Sequence, residues 1–152
     1  MELRPGAIGA MTDEYEKALT ELQFVLKSIT DEKFLKEDIS KEEDFKSIRN
    51  IMLHIIRSGY IYSDYVRKKF GDEIISKKTE VNSLENCLSE LEKMFLYHVK
   101  TFENKWQVSD EDLSKTYIKT SWKTYDLEGI VEHAIVHILR HRLQIEKLLK
   151  SR

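Results

Sequence analysis

The sequence predicts an all-α fold, a four-helix bundle, on three observations. Four stretches place apolar residues at the three-and-four spacing of a helix with one buried face. Chain breakers are scarce, because three of the six prolines and glycines, Pro5, Gly6 and Gly9, precede the first stretch. The 152 residues, 41% hydrophobic and 34% charged, suffice for one core on which four such faces can close. A single domain over residues 1–152 is therefore expected.

The first helix is expected from Thr12 to Ile29, with Tyr15, Ala18, Leu19, Leu22, Val25, Leu26 and Ile29 on its buried stripe. Thr12 stands where an N-cap belongs, and Asp13 and Glu14 suit the positive end of the helix. Residues 30–39 are mixed and acidic and read as a connection. The second helix is expected to open at Ser40, because Ser40 and Glu43 have the spacing of a capping box. It continues through Phe45, Ile48, Met52, Ile55, Gly59, Tyr62 and Val66 to Phe70, with Gly71 as its stop.

The third helix is expected from about Asn82, with Leu84, Leu88, Leu91, Phe95, Val99 and Phe102 on one face. Residues 107–125 are irregular, with 117–122 a candidate for extended chain. A connection of this length suits a crossover before the last helix, which starts after Asp126 and runs to about Lys150.

Charge and cysteine usage exclude several classes. A net charge of −2 gives no global attraction to nucleic acid or to an anionic membrane. The lone Cys87 forms no internal disulfide and reads as a small buried hydrophobe. No apolar run approaches the ~20 residues of a membrane span, and no apolar stretch near Arg4 resembles a secretory signal. A cytoplasmic location is expected.

The chemistry rests with histidine. His133, His137 and His141 stand four apart and stack along the face of the fourth helix that carries Ile130, Ala134, Ile138, Ile145 and Leu148. A pair four apart can offer two ring nitrogens to one ion. The third ligand must come from elsewhere, and His54, among Ile51, Ile55 and Ile61 on the second helix, is the strongest candidate. His98 ranks lower, because Lys100 and Asn104 suggest a wetter face. At this level, hydrogen-bonded core histidines stay open as the alternative.

Other residues read more simply. Tyr60, Tyr62 and Tyr65 have the spacing of core aromatics. Trp106 and Trp122 flank the long loop and suit its anchoring. Arg57 and Arg140, near the histidines, are expected to be solvated or salt-bridged rather than to meet an anionic substrate.

The segment His137-Ile-Leu-Arg-His141-Arg-Leu-Gln144-Ile145 resembles the last-helix signature of the DinB-like superfamily, which includes YfiT-type proteins classed as metal-dependent hydrolases. Ile51-Met-Leu-His54-Ile-Ile-Arg-Ser-Gly-Tyr60 resembles the segment of its second helix that carries a third histidine. The likeness runs from Ala7 to Leu149 and implies a bundle of DinB/YfiT type with a divalent metal on His54, His137 and His141. His133 matches a position beside the metal. Leu143 replaces the usual glycine, and Ile138 stands where a carboxylate often follows, so the family's general base has no counterpart there.

The resemblance implies a metal-dependent enzyme, a hydrolase or a thiol-dependent S-transferase. Its substrate would be a small molecule, with low-molecular-weight thiols among the candidates, and its catalytic residues are unassigned. A non-catalytic metal-binding or stress-related bundle is the alternative. Zinc and nickel lead among metals, with iron behind them, and a homodimer is expected by analogy.

Overall fold

The computed structural model describes residues 2–151. Four long helices form the bundle: α1 (Gly6–Lys27), α3 (Ile48–Phe70), α4 (Leu84–Phe102) and α6 (Leu127–Ser151). Short helices α2 (Asp31–Leu35) and α5 (Asp110–Lys115), a 3-10 turn (Glu43–Phe45) and a hairpin of β1 (Tyr117–Lys119) and β2 (Thr124–Asp126) fill the connections. The all-α bundle expected from periodicity is what forms. None of the described helices is long and apolar enough to cross a membrane.

Two helix starts differ from expectation. The first helix begins at Gly6, and Thr12 is a fully buried interior residue whose Oγ1 lies 3.1 Å from His98 Nε2. Asp13 does not serve the helix end; it receives the Arg4 guanidinium at 2.6 Å. Gly6 makes the earlier start feasible, since it holds a φ of +74° and an added Cβ would meet the Trp106 carbonyl.

The second long helix begins at Ile48, not at Ser40. Ser47 is its N-cap, with Oγ accepting the Asn50 N–H at 3.0 Å, while Ser40 sits in a turn against Asp38. The physical reason is the run Lys41-Glu-Glu-Asp44, which offers no apolar face to bury, so burial begins only with the Ile48 period. The stop at Gly71 is as expected, in the left-handed conformation with φ 74°.

α4 starts one residue after its cap, Ser83, whose Oγ accepts the Asn86 N–H. Its buried face is rotated from the one expected: Cys87, Met94, His98 and Thr101 are inside, and Leu84, Leu88 and Val99 are half-buried. His98 is 3% exposed, so the wet face inferred from Lys100 and Asn104 is wrong. Thr12 and Arg67 decide the rotation, because they give His98 and Thr101 internal hydrogen-bond partners.

Packing neighbours set the topology. α1 and α3 each pack against both α4 and α6. Arg49 donates to the Val81 carbonyl, Tyr97 donates to Asp64, and Arg67 donates to Thr101, so α3 and α4 run parallel. Parallel consecutive helices need a return along the bundle. Residues 71–83 provide it, with extended chain reaching ~3.3 Å per residue against ~1.5 Å for a helix. Arg67 pins that return: it lies over the Tyr97 ring and donates to the Glu73 carbonyl at 2.9 Å.

The connection before α6 crosses to the far side, as expected, and part of it is ordered into the hairpin. Tyr117 pairs with Asp126 and Lys119 with Thr124, while Ser121 and Trp122 form the turn. Tyr65 clamps that turn by accepting the Ser121 N–H at 3.1 Å. α3 and α6 consequently lie side by side and antiparallel, with Tyr62 against His133 and His54 against His141.

Burial pushes the His98 imidazole down to about 3, against about 6.5 in an unfolded chain. The folded state thus binds fewer protons, and stability is complete above the unfolded value and lost as pH falls from ~6.5 toward 3. Between pH 7 and pH 5, wild type should lose about 2 kcal/mol more than His98→Leu in urea unfolding. Parallel losses in the two proteins would show that His98 is not the titrating group.

Candidate metal centre

His54 projects from α3, and His137 and His141 project one turn apart from α6 into the seam between the two helices. The Nε2 atoms of His54 and His137 are 3.1 Å apart, and those of His141 and His137 are also 3.1 Å apart. One nitrogen from each ring lies within 4.8 Å of the others. The helix spacing sets the pair on α6, and the antiparallel packing of α3 brings the third ring.

The outer nitrogens of two of the rings face polar partners. His141 Nδ1 donates to Gln144 Oε1 at 2.8 Å, and His54 Nδ1 faces Asp44 Oδ2 at 3.6 Å. A proton on Nδ1 leaves Nε2 with its lone pair aimed inward. Phe45, carried by the 3-10 turn, stacks on His141 with centroids 5.9 Å apart and meets His54 edge-on at 5.6 Å. One aromatic ring thereby fixes two imidazoles.

Burial and crowding hold two of the rings, His54 and His137, toward the neutral form. Burial, then the neighbouring His141, His54 and His133, pushes His137 down to about 3. His54 is lowered by burial and by His141, with Asp44 opposing. Neutral rings alone leave the centre short of protons. His137 Nε2 carries either one proton or one lone pair, so it cannot complete two full hydrogen bonds with nitrogens that are themselves acceptors.

A cation removes that deficit. Two nitrogens bound at ~2.0–2.1 Å to a tetrahedral ion stand about 3.3 Å apart, close to the separations found. The three imidazoles can thus hold a divalent ion.

The remaining histidines lie outside this triangle. His133 is half-buried between Tyr62, at 5.2 Å, and Tyr125, at 5.3 Å, and its ring centroid is 6.3 Å from that of His137. His98 is in the core with Thr12. Tyr62 packs against His137 at 5.8 Å, whereas Tyr60 pairs with Tyr97 away from the centre. Trp122 donates from Nε1 to the Tyr125 hydroxyl, and Trp106 lies near the Arg4 guanidinium, so both anchor connections. Arg57 is directed to the Thr79 carbonyl; Arg140 is exposed. Burial raises the Cys87 thiol to about 12, leaving it inert.

Asp44, Phe45 and Gln144 acquire roles here that residue patterning does not assign. Gln144 carries a weak local signal, three residues after His141 on one helical face. Asp44 and Phe45 carry none, because their placement depends on where the chain enters α3.

Residues 10–151 match the family model described as DinB family. No curated protein sequence matches the chain. With the match covering nearly all of its length, and with the helical bundle and three gathered histidines in place, the chain belongs to the DinB family.

Proposed function

We propose that His54, His137 and His141 are the ligands of one divalent metal ion, zinc or nickel ahead of iron, and that the protein is a metal-dependent enzyme of hydrolase or thiol S-transferase type. The observation that carries this reading is the convergence of three Nε2 atoms whose partner nitrogens on His54 and His141 are turned to Asp44 and Gln144. Three neutral ligands leave the ion its full charge and a free coordination position. Such an ion supplies a Lewis acid that acidifies a bound water or thiol at neutral pH.

The chain's own residues orient the rings and limit water. Gln144 holds the His141 tautomer, Asp44 favours the matching one at His54, and Phe45 shields both rings on one side. Ile138 is buried in the core, so the carboxylate common after the first histidine in the family has no counterpart at that position. Activation of a thiol, which ionises far more readily than water, asks least of such a centre, and thiol transfer is therefore favoured over hydrolysis. In this reading the protein is a single domain acting on a small molecule.

Elemental analysis of protein purified without a histidine tag or chelator should find about one divalent ion per chain. His137→Ala and His141→Ala should abolish binding, and His133→Ala should only weaken it. A site emptied by His133→Ala but kept by His141→Ala would shift the ligand set by one turn of α6. Gln144→Ala should weaken metal affinity by about 10-fold or more, since it frees the His141 ring. Unchanged affinity would remove Gln144 from the centre.

Metal that binds only the folded state stabilises it by roughly 3–4 kcal/mol at a few hundred to a thousand times its dissociation constant. His54→Ala should lose most of the metal-dependent rise in Tm while the apo bundle stays folded. In wild type that rise should persist below the ordinary histidine value of ~6.5 and shrink as pH falls toward the lowered value of His137, about 3, because protons compete with metal only where the folded imidazoles accept them. A His54→Ala protein with the full rise would exclude His54 as a ligand.

A further inference from the structure

A groove of about 860 Å³ runs along the outer face of α6 beside the three histidines, and nothing proposed above uses it. Leu139, Arg140, Leu143 and Lys147 line it at helical spacing, and Lys41 and Phe45 close it from the segment before α3. Its charge is one-sided. Lys41, Arg140 and Lys147 are exposed, no described residue forms an ion pair with them, and no carboxylate lines the groove. Its apolar part is equally out of place on a solvent face: Leu139 is 39% exposed and Leu143 54%.

The groove adjoins the metal centre through shared residues. Phe45, which stacks on His141, and Gln144, which accepts from His141 Nδ1, both belong to its lining. Its volume falls within the ~300–1,000 Å³ of small-molecule sites. A second copy of the chain docked here about a two-fold axis would set three unpaired cations against three more.

We infer that this groove binds a small organic anion, a carboxylate or phosphate ester, whose apolar body lies on Leu139 and Leu143 while its charge meets Arg140, Lys147 and Lys41. None of the three histidines lines the groove, so the anion is a ligand of this face beside the metal centre. The binding itself needs only the groove.

The test uses metal-depleted full-length protein and two probes of equal shape, 4-phenylbutyrate and 4-phenylbutanamide, titrated calorimetrically. The acid should bind at least about 10-fold more tightly than the amide, the worth of one charge-assisted hydrogen bond. That preference should shrink with added salt and fall to within about 2-fold in Arg140→Gln/Lys147→Gln. Leu143→Ser should weaken both probes. All of these positions are exposed, so circular dichroism and melting should match wild type.

Equal affinity for acid and amide, no binding of either in the millimolar range, or a preference unchanged in the double variant overturns the inference. So does a dimer in sedimentation that Leu143→Ser dissociates, because the face then belongs to a second copy. A zinc titration of the same preparation reports on the histidines alone. Zinc binding without anion preference sinks the groove and spares the metal centre; anion preference without zinc binding does the opposite.

Discussion

The antiparallel contact of α3 with α6 is the constraint on which the rest of the molecule depends. It places one imidazole from α3 against two from α6, with neighbouring Nε2 atoms 3.1 Å apart. Each of those two contacts has room for one proton at most, since a proton on one nitrogen repels a proton on the next. The cluster is therefore poor in donors, a condition suited to a cation. Keeping α3 beside α6 explains much of the chain's routing. The return over residues 71–83 lets α4 pack parallel to α3, and the hairpin brings the chain across to start α6 antiparallel to α3.

A comparison of His98 with the three gathered histidines shows how context sorts one residue type. His98 is as buried as a core leucine, and a single hydroxyl from Thr12 meets its Nε2. It is surrounded by Tyr15, Phe95 and Phe102, which offer ring contacts and no further ligand. His137 is less buried but surrounded by imidazoles, and their proximity adds to burial in holding it uncharged. One histidine specifies how α1 meets α4; the others build a centre.

Much of this was legible in the residues. Helical periodicity gave the four long helices, Gly71 the end of α3, and the four-residue spacing the pair on α6. The place of His54 inside the bundle followed from its apolar neighbours. What patterning missed has common physical causes. The capping-box spacing at Ser40 is a local signal, and a charged run with no face to bury outweighed it, moving the helix start to Ser47. The face of α4 was misjudged because Lys100 and Asn104 report on their own exposure, whereas His98 answers to Thr12, 86 residues away. No local pattern contains a partner at that distance.

The residues that tune the centre come largely from irregular chain, and this follows from the same logic. Helices α3 and α6 can deliver rings to the seam, but helical spacing covers only the outer nitrogen of His141, through Gln144, and leaves that of His54 open. A segment off the α3 axis is needed to bring a carboxylate and an aromatic ring to the two imidazoles together. The 3-10 turn does this with consecutive residues, Asp44 toward His54 and Phe45 across both rings. Had the helix begun at Ser40, Asp44 would sit ten residues before His54, ~15 Å along the axis and out of reach of its ring. The late start of α3, which looks like a lost helical turn, is what frees both side chains to reach the histidines.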